Sequence, residues 1–77
     1  MANLDRIVHD PMTMGGKACV RGTRVTVSTV LGLLAQGYPE DAVLELYPYV
    51  TREDIRACLS YAAMRTSEIE ISLTDAA

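Results

Sequence analysis

Residues 39–64 read PEDAVLELYPYVTREDIRACLSYAAM, and this stretch decides the fold. Two helical patterns flank a proline. Pro39 suits a first-turn position, since the N–H it lacks would be unpaired there. Glu40 and Asp41 follow at the positive end of the helix dipole. Ala42, Val43, Leu46 and Tyr47 then make one apolar face, and Pro48 stops the helix because the residue before a proline is driven out of the α region. The spacing predicts a helix over about 39–47. Three residues on, Thr51 can accept from the N–H of Asp54, with acidic residues in the first turn. Ile55, Cys58, Leu59 and Ala62 repeat at the three- and four-residue spacing of a single face, which predicts a helix over about 51–64. Glu53, Arg56, Ala57 and Ser60 fall opposite. Two helices joined across so short a turn fit a helix-turn-helix, although the pattern by itself also suits other three-helix bundles.

Upstream, Val27, Val30, Leu31 and Leu34 carry the same periodicity and predict a first helix opening at Thr26 or Val27. Gly37 can stop it in the left-handed conformation. Gly32 inside it costs about 1 kcal/mol against alanine and would let another backbone come close. Before this helix, Arg6 to His9 is a short β-like run halted by Asp10-Pro11, and Ala18–Val20 and Arg24–Val27 are further extended candidates. The fold class expected is therefore mainly α: a three-helix core over 28–65 that fits a helix-turn-helix, an N-terminal β and glycine-loop segment over 1–27, and an acidic tail over 66–77, all in one domain.

The segment between these β candidates is dense in glycine and cations. Gly15, Gly16 and Gly22 alternate with Lys17, Arg21 and Arg24. It is not a Walker phosphate loop: with Gly16-Lys17 as the Gly-Lys pair, the first glycine would have to be residue 11, which is Pro11, and the magnesium-binding hydroxyl would fall on Ala18. Two readings stay open, a structural turn feeding a strand and a loop that also touches a phosphate backbone or a partner.

These residues carry a family resemblance. Asp10-Pro11, Gly15-Gly16-Lys17, Cys19 to Arg24, Gly37, Tyr47-Pro48 and Thr51 to Arg56 stand in the order and spacing of the small, antitoxin-like prokaryotic family designated domain of unknown function four-three-three (DUF433), and the chain resembles it over about residues 6–65. Ala18 and Thr26 stand where that family often has proline, and Pro39 where it often has a serine or threonine cap. The resemblance implies a homeodomain-like fold and an antitoxin of a type II toxin–antitoxin pair, whose partner would be a PIN-like ribonuclease toxin.

Composition sets the remaining bounds. The 77 residues hold 49% hydrophobic side chains without Trp or Phe, so the core is aliphatic. A domain this small is marginal alone and commonly gains stability by association, which leads to the expectation of a homodimer or an obligate partner. The net charge of −3 argues against binding nucleic acid by bulk charge. Its distribution says more: residues 1–24 carry +2 and 52–65 carry +1, whereas 25–51 and 66–77 carry −3 each. Cys19, Cys58 and the single His9 are too few for a structural zinc site, which takes four ligands. No metal or cofactor is expected. The longest apolar-rich run, Val25 to Ala35, is interrupted by Thr26, Ser28, Thr29 and Gly32, so neither a membrane span nor a signal peptide is read, and the chain is expected in the cytoplasm with reduced thiols.

No catalytic constellation stands out, because His9 lacks an evident partner base or nucleophile, and the chain is not read as an enzyme. For DNA, the last helix would be the reader, with Arg52, Arg56 and Ser60 toward base edges and Lys17, Arg21 and Arg24 on phosphates. Glu53 on the same face opposes this, and a solvated face with local ion pairs is the alternative. For a protein partner the tail is the candidate. Ile69, Ile71 and Leu73 alternate with Glu68, Glu70, Ser72 and Thr74, a strand period with one apolar face. Such a strand can add to a sheet edge, with Glu68 and Glu70 masking basic residues of a toxin. The rival readings are a stand-alone dimeric regulator and a plain oligomerisation or adaptor module; a frayed terminus is the plain alternative for the tail.

Overall fold

The computed structural model describes residues 4–12 and 14–66. A short 3-10 turn, Leu4–Arg6, leads into β1 (Ile7–His9). An eight-residue loop returns the chain as β2 (Ala18–Val20), and three helices follow: α1 (Val27–Ala35), α2 (Glu40–Leu46) and α3 (Arg52–Arg65). The two strands pair antiparallel, Ile7 with Val20, Val8 with Cys19 and His9 with Ala18. The molecule is mainly helical, three helices with a small N-terminal hairpin, as the sequence leads one to expect.

The turn after β2 is a hydrogen-bonded device. Thr23 N–H donates to the Val20 carbonyl at 3.0 Å, and the Val20 N–H donates to the Val25 carbonyl at 2.9 Å. Gly22 sits third in that four-residue turn with φ +78, a conformation that opposes any Cβ. The Thr23 hydroxyl donates to the Val20 carbonyl at 2.8 Å and accepts from the Val25 N–H at 3.0 Å. Cys19 and Thr26 are thereby brought into an antiparallel bridge. Arg21-Gly22-Thr23 is thus a hydrogen-bonded turn that feeds the start of α1.

Each helix end has an identifiable stop. Thr26 caps α1, its hydroxyl accepting from the Thr29 N–H at 3.1 Å. At the other end, Gly37 N–H reaches the Leu34 carbonyl and Tyr38 N–H reaches that of Leu33, a Schellman closure with Gly37 left-handed at φ +98. Pro39 does not enter α2. It occupies the N-cap position, extended at ψ 162, and its carbonyl accepts from Ala42 and Val43. The 47–50 segment closes a turn, Val50 N–H to the Tyr47 carbonyl at 2.9 Å, with Pro48 at the second position that its fixed φ favours.

α3 opens on a full capping box. The Thr51 hydroxyl accepts from the Asp54 N–H at 3.2 Å and the Asp54 carboxylate accepts from the Thr51 N–H at 2.9 Å. The second carboxylate oxygen of Asp54 takes Arg6 Nη1 at 3.0 Å. Asp54 is only 6% exposed, so this one side chain closes the helix and pins the N-terminal turn to it.

The core is Val20, Val25, Val27, Val30, Val43, Val50, Ile55 and Cys58, with Ile7, Leu31, Leu44 and Tyr61 among the half-buried residues packed on it. Two helical faces differ from the periodic reading. On α3, Ala57 is fully buried and Leu59 is 44% exposed, the reverse of expectation: the buried stripe is rotated toward Asp54, Ala57 and Tyr61. The cause is the N-terminal segment: β1 and the turn before it pack on α3 and cover a second side of the helix. On α2, Leu46 is exposed and Leu44 packs on the core instead. Among the described residues no other element comes close to Gly32, since an added Cβ would meet nothing within 4 Å.

Replacing Asp54 by alanine removes a cap worth about 1 kcal/mol and leaves Arg6 and the Thr51 N–H without their acceptor, for a total loss of about 2–4 kcal/mol in urea unfolding. Gly22→Ala, forced into a left-handed φ, loses about 1–2 kcal/mol. Gly32→Ala gains up to about 1 kcal/mol in the same measurement, and a loss there would mean that another surface covers this side of α1 in solution.

Candidate functional surface

The cations that the sequence offers to DNA differ in what they meet. Arg52, at the start of α3, reaches back to the first turn of α2: its Nη1 donates to Glu40 at 3.1 Å, and its Nη2 is held by Asp41. The hydrogen bond and charge of Asp41, then those of Glu40, hold its proton more firmly than usual. The end of α3 where a recognition helix meets base edges therefore carries an arginine already matched by two carboxylates. Arg21, in the turn after β2, lies 3.8 Å from Asp5, with both side chains well exposed, a contact worth little in water. Ser60 is half-buried. Arg56 is exposed on α3 and, among the described residues, has no ion-pair or hydrogen-bond partner. Lys17 and Arg24 are likewise exposed.

Two concavities organise the rest. One, about 530 Å³, lies between the hairpin and the α2–α3 turn, with Arg24, Thr23 and Gly22 on one side and Val8, Asp10 and Tyr49 around it. The second, also about 530 Å³, runs between the loop before β2, the start of α1 and the last turns of α3. Val27, Leu31 and Ala62 give it an apolar floor, and Lys17 and Arg65 stand at its rim. No aspartate or glutamate is among its described lining residues. His9 and Tyr61 close one side, His9 Nε2 and the Tyr61 hydroxyl 2.9 Å apart and their rings tilted at 48°. The histidine thus meets a phenol rather than a carboxylate or a nucleophile.

The pairing of Lys17 with Arg65 across an apolar groove escapes a linear reading, because 48 positions separate them and only the packing of the hairpin on α3 brings them together. Arg6 was missed for the same reason. Asp54 was legible as the third residue after a threonine cap, but its burial was not. Glu68, Ile69, Glu70, Ile71 and Leu73, the candidate toxin-binding residues, lie outside the described residues, which end at Thr66. Large apolar side chains stand uncovered elsewhere: Leu46 is 56% and Tyr49 63% exposed, with Tyr38 and Leu59 also open.

Among the described residues no three His, Cys, Asp or Glu side chains are grouped to hold a metal ion, and no helix is long and apolar enough to cross a membrane. Cys19 and Cys58 are both buried and unbridged.

The model of the family described as protein of unknown function (DUF433) matches residues 7–62. An uncharacterized protein of Sinorhizobium fredii, y4eO, is 38% identical over 56 residues, which is 73% of this chain and 25% of that protein; the chain therefore spans a quarter of the length of this curated relative. The crystal structure of a DUF433 member protein from Anabaena variabilis superposes with a TM-score of 0.75 at 32% identity, covering 90% of this chain and 68% of the other.

The thiols offer a check on this packing. Burial, and then the charge of Asp54, push the Cys58 thiol from its ordinary 9.0 up to about 11. Only the thiolate reacts, so at pH 8 the folded protein should label at Cys58 at least about a hundredfold more slowly than the urea-unfolded chain, read by mass spectrometry after iodoacetamide. The folded state favours the protonated thiol, so this group's contribution to stability is intact below pH 9 and is lost as pH rises from about 9 toward 11. A Cys58→Ala variant should show a shallower decline over that interval.

Proposed function

We propose that this chain, which belongs to the DUF433 family, is an antitoxin-type binding protein that neutralises a PIN-like ribonuclease by direct contact and, as a dimer, represses its own operon. The observation that carries the reading is the exposure of several large apolar side chains. Leu46, Tyr49, Tyr38 and Leu59 are large, exposed side chains on a protein of 77 residues, and exposed apolar groups of this size favour contact with another protein. The alternating acidic and apolar tail, Glu68 to Leu73, extends the same chemistry. It supplies carboxylates for a basic RNA-binding groove and an apolar edge for a sheet.

The regulatory half of the proposal rests on a narrower base. Arg56, exposed on α3 and without a partner among the described residues, is the side chain best disposed to reach a base edge, and Lys17 and Arg24 are available to phosphates. Arg52, committed to Glu40 and Asp41, takes a structural role in this reading, and Arg21 a minor one. A stand-alone regulator would use the same three free cations without any toxin. An enzymatic role finds no support in His9, whose ring faces Tyr61.

Co-expression with the neighbouring open reading frame decides between them. The proposal expects the neighbour alone to arrest growth, this chain to restore it, and the two to co-purify; removal of residues 67–77 should abolish rescue while thermal unfolding of the helical core is retained. A harmless neighbour that does not co-elute overturns the antitoxin reading. For the DNA arm, Arg56→Ala should weaken binding to the upstream DNA about 5- to 100-fold and leave rescue intact, with steep salt dependence in the parent protein. Arg52→Ala should lower thermal stability with a smaller effect on DNA.

A further inference from the structure

The groove between α1 and α3 has the chemistry of a peptide seat, and the chain carries a peptide that matches it. Its floor is apolar, through Val27, Leu31 and Ala62, and its rim is cationic, through Lys17 and Arg65. Neither cation has an ion-pair or hydrogen-bond partner among the described residues. Thr66, the last described residue, closes the end of α3 and itself lines the groove, so the chain continues from its edge. Residues 67–73 read Ser-Glu-Ile-Glu-Ile-Ser-Leu, three apolar side chains on one period-two face and two carboxylates on the other. We infer that residues Glu68–Leu73 of the same chain occupy this groove, with Ile69, Ile71 and Leu73 on its apolar floor and Glu68 and Glu70 toward Lys17 and Arg65.

Reach and concentration favour the same chain over a second copy. Leu73 lies seven positions beyond Thr66, a stretch that can extend about 23 Å, whereas the Tyr61–Thr66 wall of the groove is about 8 Å long. The segment can therefore turn back and cross the groove with length to spare. Tethering at the groove edge gives an effective concentration in the millimolar range, above that of a separate copy at ordinary protein concentrations. A partner that takes the tail must then first draw it out of this seat.

Amide hydrogen exchange on the full chain tests the inference, with no partner present, so the result is independent of the co-expression outcome. At low salt, the amides of residues 69–73 should exchange at least about tenfold more slowly than random-coil rates, and equally so across a hundredfold range of protein concentration. Adding salt should reduce this protection in the parent chain, since both rim cations are exposed. Lys17→Glu with Arg65→Glu should return the tail to random-coil exchange while the amides of α1 and α3 stay protected, and adding Glu68→Lys with Glu70→Lys should restore it. Random-coil rates in the parent chain overturn the inference, as does protection that survives the charge reversal. Protection that grows with concentration alongside a dimer in sedimentation also overturns it and assigns the groove to the tail of a second copy.

Discussion

The structure depends on what becomes of one carboxylate. Asp54 lies almost wholly out of water, where an unpaired charge would be heavily penalised. Both its oxygens are used: one accepts from the Thr51 N–H and completes the capping box of α3, the other takes the guanidinium of Arg6. The first contact is local and fixes where the helix begins. The second spans 48 residues and fixes where the N-terminal turn lies against that helix. Because β1 follows Arg6 directly, the same ion pair orients the hairpin. The hairpin in turn carries Val20 into the core and brings Lys17 over the end of α3.

That arrangement explains why the surface chemistry is distributed as it is. A three-helix core alone would leave two flanks of α3 open. The hairpin covers one, which buries Ala57 and half-buries Tyr61, and rotates Leu59 into solvent. The opposite end of α3 is held by Arg52 against the first turn of α2. Lys17, Arg24 and Arg56 have no ion-pair partner among the described residues. Each lies in a different setting: a groove, a hollow beside Tyr49 and an open helix face. Leu46 on α2 and Tyr49 in the turn after it stay exposed.

Much of the fold could be read from the chain. The three helices come from three-and-four spacing of Val, Leu and Ile, and their limits from Thr26, Gly37, Pro48 and Thr51, each acting through backbone groups within four residues. Such signals are local, and local physics is written in local sequence. Pro39, able to serve two adjoining positions, took the cap rather than the first turn, and of the extended candidate Arg24–Val27 only Thr26 pairs, with Cys19, before α1 begins at Val27. The glycine loop was legible as a shaped turn, although only the hydrogen bonds of Thr23 identify it as a turn of the framework.

The sequence by itself determined the element types, their order, the aliphatic core and the family to which the chain belongs, because each follows from periodicity, caps or a long ordered motif. Tertiary structure alone decided which of two possible stripes of α3 is buried, that Asp54 is an internal ion-pair partner, that Arg52 is spoken for, and that Lys17 and Arg65 share an apolar groove. The physical reason is the same in each case: these properties belong to pairs of residues from 11 to 48 positions apart. Distance in sequence carries no information about such a pair until the hairpin and the helices pack.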